Sequence, residues 1–142
     1  ALKKRLPFTS REINNIPENS VFWTCVDKLK NAADANLQLI ANEIENAIEK
    51  AKTIDDQLMI VFNWLNLFGY YPDNLTRIER IRSNFSDALH GTYAIACDGL
   101  LTLDNDFAKR IAAAMGALRV ETEVGTDANE LLHRIAQKSG FQ

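Results

Sequence analysis

Residues that staple, kink or switch a chain are scarce here: two cysteines, three prolines, six glycines and two histidines among 142 residues. Cys25 and Cys97 show neither metal-ligand nor redox spacing, which excludes a disulfide framework and predicts reduced, buried thiols in a cytoplasmic protein. No apolar run approaches the roughly 20 residues that span a bilayer, so no membrane partner is expected. No secretory h-region can be read either, and the sequons at Asn74 and Asn84 carry no expectation of glycosylation. There is no G-x-S-x-G elbow for a serine nucleophile and no glycine-rich phosphate loop. A surplus of positive charge is also missing. The net charge of -3 argues against binding of polyanions through overall charge, and "LTRIERIR" at residues 75–82 is the best candidate for a local basic patch. What is present, 46% hydrophobic and 25% charged residues, fits one ordinary globular domain.

Helical periodicity dominates. Residues 1–19 carry two prolines and no clear period, predicting a loosely structured lead-in to a single domain over residues 20–142. In residues 20–30, Phe22, Cys25, Val26 and Leu29 share a helical face, although the run to Val26 could also form a strand ending at Asp27; helix is favoured. From Asp34, the residues Leu37, Ile40, Ala41, Ile44, Ala47, Ile48 and Ala51 define an amphipathic helix with Glu43, Glu45, Glu49 and Lys50 outside. Thr53 caps a more apolar helix, with Asp56 at the capping-box position and Gly69 as its stop. "YYPDN" reads as a turn, and residues 75–82 as a short helix. Ser86 or Asp87 is expected to cap a further helix through Ala96. "CDG" then turns into the apolar strand "LLTL". A helix follows from Phe107, "RVETEV" alternates as a second strand, and a last helix covers about residues 127–138.

Strand, helix and strand within about 25 residues make a βαβ unit, which requires parallel strands. Two parallel strands do not form a stable sheet alone, because such sheets need further strands and cover on both faces. Either strands are hidden in the first 30 residues, or part of the domain lies outside this chain. Ala1 in place of an initiating Met leaves room for residues upstream.

The chemistry-bearing residues gather in "NFSDALHGTYAIACDGLLTLDNDFAKR", residues 84–110. Asp87 in the first turn of a helix would be favoured by the free amides and dipole there. Asp104 follows the strand at its carboxyl end, where open α/β sheets place ligand sites. The chain doubles back between them, so both carboxylates can face one crevice, and hard oxygen ligands suit Mg²⁺ or Mn²⁺. Each has a plainer reading: Asp87 as a helix cap, Asp104 and Asp106 as a cap pair, Asp98 as a turn residue. His90, one turn beyond Asp87, reads as structural or supporting, and His133 has no role.

The order D-A-x-H (Asp87 to His90), Ala94 and Ala96, Cys97-Asp98, Thr102-Leu103-Asp104 and Asp106-Phe107 resembles the C-terminal half of PIN-domain proteins, a family of metal-dependent ribonucleases that includes many bacterial toxins. The match covers about 40 residues. It implies a helix-rich, three-layer α/β fold with a short parallel sheet, here lacking or hiding its first strand. It also implies Asp87 and Asp104 as metal-binding acids, Thr102 as a supporting hydroxyl, and Glu43 (with Glu45 competing) as the glutamate of an early helix. Both glutamates read equally as solvated residues. The family's first strand, which delivers an aspartate, has no counterpart, and Asp27 sits in the wrong context to replace it.

Three functions are therefore weighed. The resemblance implies a Mg/Mn-dependent endoribonuclease, or its C-terminal portion, hydrolysing RNA phosphodiester bonds, with Asp87, Asp104 and Glu43 as the catalytic acids. Arg77, Arg80, Arg82 and Lys109 would rim it, and these 142 residues alone would have little activity. The alternative is a non-catalytic PIN-like module binding a protein partner, antitoxin-like or a second copy in a homodimer. That reading draws support from the missing first acid and from the aromatic stretch Trp64 to Tyr71, if exposed. A receiver-type phospho-acceptor at Asp104 is the weakest, since the early acidic pair is absent.

Overall fold

Caps in the sequence set most element boundaries. The computed structural model describes residues 5–73 and 78–140. Its elements are α1 (Ser10–Asn14), α2 (Val21–Lys30), α3 (Ala35–Lys50), α4 (Ile54–Phe68), α5 (Ile78–Ala94), β1 (Gly99–Leu101), α6 (Asn105–Ala117), β2 (Glu123–Gly125) and α7 (Ala128–Lys138). Asp34, Thr53, Asp104 and Asp127 each accept a backbone amide hydrogen bond at the start of α3, α4, α6 and α7, satisfying donors a helix cannot satisfy itself. Gly69 ends α4 with φ of 87°, a left-handed conformation that costs glycine nothing. No helix among the described residues is long and apolar enough to cross a membrane.

The core belongs to the helices. α2 packs on α3 and α6, and α4 packs on α3, α5 and α6. Phe22, Leu58, Phe62 and Ile111 are wholly buried between them. The Phe62 and Phe107 rings meet edge-on at 5.9 Å, an arrangement that adds to the area they bury. The class is α/β and helix-rich, with one small parallel sheet.

β1 and β2 pair in parallel, with Gly99 opposite Glu123 and Leu101 opposite Gly125. They form the one sheet among the described residues. The strand shortage inferred from the sequence therefore persists, and residues 5–30 hide no strand, since α1 and α2 occupy them. Asp27 lies exposed on α2 rather than at the end of a strand.

Four expectations are corrected. The segment before residue 20 is not simply loose. Thr9 and Glu12 form a reciprocal capping box on α1, and Phe8 and Ile13 enter the core. Cys97 is exposed, while Cys25 is buried and its thiol is pushed up to about 12 by that burial. The aromatic stretch from Trp64 to Tyr71 is not an exposed surface, because Phe68 and Tyr70 are buried and Trp64 and Tyr71 half-buried. Finally, α5 runs unbroken from Ile78 to Ala94, so no new helix starts at Ser86 or Asp87. Asn84 donates to Asn63 Oδ1 on α4 at 3.1 Å, and Gly91 lies so close to α6 that any side chain would run into Ile111. Both contacts lie on the unbroken helix, on either side of the local capping signal.

Candidate functional site

The second turn of α6 carries a wholly buried arginine. Arg110 shares its helix with Phe107, Ile111 and Ala114, all core residues, and its guanidinium lies 5.1 Å from the Phe62 ring centroid. Burying a charge is costly unless it is paired. Here Nη2 donates to Asp73 Oδ2 at 2.7 Å, and Nη1 donates to the Tyr71 carbonyl. Nε is buried without a hydrogen-bond partner. The Asp73 amide donates to Asn66 Oδ1 on α4 at 2.7 Å, and Asn66 is itself buried. The turn after α4 is thus fastened from both sides, and Asp73 is set in place.

Asp87 stands two turns before the end of α5 and is half-buried. Its position refutes the first-turn argument, because no free helix amides are available to a carboxylate in mid-helix. The electrostatics agree: its carboxyl is raised above the ordinary value, first by burial and then by the negative charges of Asp73 and Asp104. Arg110 and His90 act in the opposite direction and are outweighed. Asp104 is exposed and caps α6, its Oδ1 accepting from the Phe107 amide at 3.0 Å. The Asp104 amide in turn donates to Thr102 Oγ1 at 3.2 Å. A cap uses one carboxylate oxygen and leaves the other free, so capping and ligation are compatible here.

Asp87 and Asp104 are therefore near enough to feel each other, as their spacing suggested. Asp73 joins them, a residue that reads from sequence only as part of a turn. Three carboxylates against one buried arginine leave a local excess of negative charge. That excess suits a cation in chemistry, and Asp87 and Asp104 are the members not already tied to Arg110. Among the described residues, however, no three His, Cys, Asp or Glu side chains converge closely enough to hold a metal ion.

Other candidates lie apart. Glu43 is exposed on α3, whose packing partners are α2 and α4, and it is not among the charges that act on Asp87. Its neighbour Glu45 pairs with Lys30 at 2.5 Å. Asp98 and Asp106 are exposed, the former contributing only its carbonyl to the Glu123 amide at 3.0 Å. Lys109 faces Glu18, whose carboxyl is raised by burial and lowered in part by that lysine. It is thus not on the side of the acids. Arg82 is exposed on α5. Arg77 and the side chain of Arg80 lie outside the described residues.

A cavity of about 610 Å³ opens elsewhere, lined among others by Glu18, Arg119, Glu121, Glu123, Arg134 and Lys138. It contains none of the three aspartates, and much of its charge is matched internally. Arg134 bonds Glu123 Oε2 at 3.1 Å and the Val124 carbonyl at 2.8 Å, and Lys138 lies 3.6 Å from Glu123 Oε1. No family model, no curated protein and no solved structure matches this chain.

Proposed function

We propose that this chain is a PIN-like, Mg/Mn-dependent endoribonuclease module, or the C-terminal portion of one, acting on single-stranded or looped RNA. One observation supports the reading: the Asp87 carboxyl is raised first by its burial and then by the negative charges of Asp73 and Asp104 beside it. Carboxylates that repel one another gain most from a shared cation. Asp87 and Asp104 would hold it, and a divalent ion there would stabilise charge developing on a phosphate. Thr102 Oγ1 accepts from the Asp104 amide and so steadies the loop that presents this acid. Arg110 holds Asp73 and, through Tyr71, the turn beside them. With two free carboxylates and no third ligand among the described residues, turnover should be slow.

The test is cleavage of a single-stranded RNA in Mn²⁺ by the chain and by its Asp87→Asn and Asp104→Asn variants. Slow cleavage that chelator and either substitution abolish is expected. Cleavage undiminished in both variants overturns the assignment. A second reading, a non-catalytic PIN-like module for a protein partner, is favoured by the buried Arg110, which already neutralises one of the three acids. It predicts no Mn²⁺-dependent cleavage at all.

A further inference from the structure

We propose that the free edge of β1 is a docking site for one extended apolar peptide strand, which becomes the third strand of the sheet. This stands independently of any activity at the acids. In the parallel ladder, the Asp98 carbonyl accepts from the Glu123 amide and the Thr102 amide donates to the Gly125 carbonyl, both at 3.0 Å. Backbone groups alternate in direction along a strand. Residues 98, 100 and 102 therefore face β2, and the N–H and C=O of Gly99 and Leu101 face away, with no strand beside them among the described residues.

The other edge is closed. Val124, whose backbone faces away from β1, has its carbonyl taken by Arg134 Nη2 at 2.8 Å. Two residues upstream of β2, the Glu121 carbonyl accepts from Lys138 Nζ, which lays a second cation beside this strand. Cations laid along an edge are a usual guard against unwanted pairing. At β1 no such guard stands among the described residues. Leu101 and Leu103 are exposed there, Leu103 at 89%. α5, which packs against β1, carries Ile78, Ile81, Phe85, Leu89 and Tyr93 exposed at helical spacing.

The backbone groups decide the kind of occupant. Unpaired strand donors and acceptors are satisfied by another extended backbone, not by a helix. A strand gripped in this way would lie beside the exposed Leu101 and Leu103, so an apolar sequence fits it, as in strands of buried parallel sheets. Among the described residues a second copy could offer only its own β1 edge, three residues long, which gives few bonds.

The test uses a fluorescent peptide of about six alternating Val and Ile residues between terminal lysines, a usual strand length. Anisotropy reads binding to the 142-residue chain, and hydrogen exchange reads the Gly99 and Leu101 amides. Binding that slows exchange at both amides is expected. Leu101→Pro removes the outward N–H yet keeps the ladder to β2, and should weaken binding at least tenfold while the Thr102 and Glu123 amides stay protected. Phe85→Lys, at an exposed position, should weaken it similarly without disturbing the fold. Absence of binding, or binding unchanged in both variants, overturns the proposal. So does protection of both amides without peptide that grows with concentration as the mass doubles, since the occupant is then a second copy.

Discussion

The helices and the strands of this chain are finished to different degrees. α2, α4 and α6 bury Phe22, Leu58, Phe62 and Ile111 completely, whereas no residue of β1 or β2 is fully buried. The helical part supplies its own apolar cover. The sheet leans on α5, α6 and α7 and ends after two strands among the described residues. Even within the sheet the edges differ, β2 being closed at Val124 by Arg134 and β1 open among the described residues. A fold can thus be stable through one part while another part awaits a partner.

Substitutions sharpen or break this contrast. Arg110→Ala should cost most, about 3–5 kcal/mol, because it leaves Asp73 without its buried partner. Phe62→Ala should cost a similar 3–5 kcal/mol or so through the cavity it opens; denaturant unfolding measures both. Arg134→Ala should cost about 1–2 kcal/mol by removing charged hydrogen bonds to Glu123 and Val124. It should also add concentration-dependent self-association, seen by light scattering, as the second edge opens. Leu101→Ala should fall below about 0.5 kcal/mol. If it matches Phe62→Ala, the strands are as well packed as the helices and the contrast fails.

The smallest effect concerns pH. The Asp87 carboxyl is raised in the folded chain, so the native state binds protons more readily than the unfolded one. Its contribution to stability is fully present below the ordinary carboxylate range and is lost as pH rises through the raised value. Asp87→Asn should flatten that slope and leave the chain slightly more stable at neutral pH, checked by thermal melts across acid pH.

Much of the helical frame was legible because its signals are local. The periodic apolar residues of α3, the Thr53 and Asp127 caps and Gly69 mark their elements within a turn or two. The parallel βαβ unit was also readable from order and spacing. What failed depended on distant contacts. The capping signal at Ser86 and Asp87 was overridden because Asn84 reaches Asn63 and Gly91 lies against Ile111. Asp73 could not be singled out, because what fixes it is Arg110, 37 residues onward in the chain. α1 was missed because five residues carry no period, although its Thr9–Glu12 box was written in the sequence.

The central claim is that Asp87 and Asp104 share one cation. Titration of the Asp87 carboxyl by NMR, with and without Mg²⁺, tests it most directly. The account predicts an elevated carboxyl in the free chain that Mg²⁺ lowers, with the lowering lost in Asp104→Asn. A carboxyl that titrates identically with and without Mg²⁺ would contradict it.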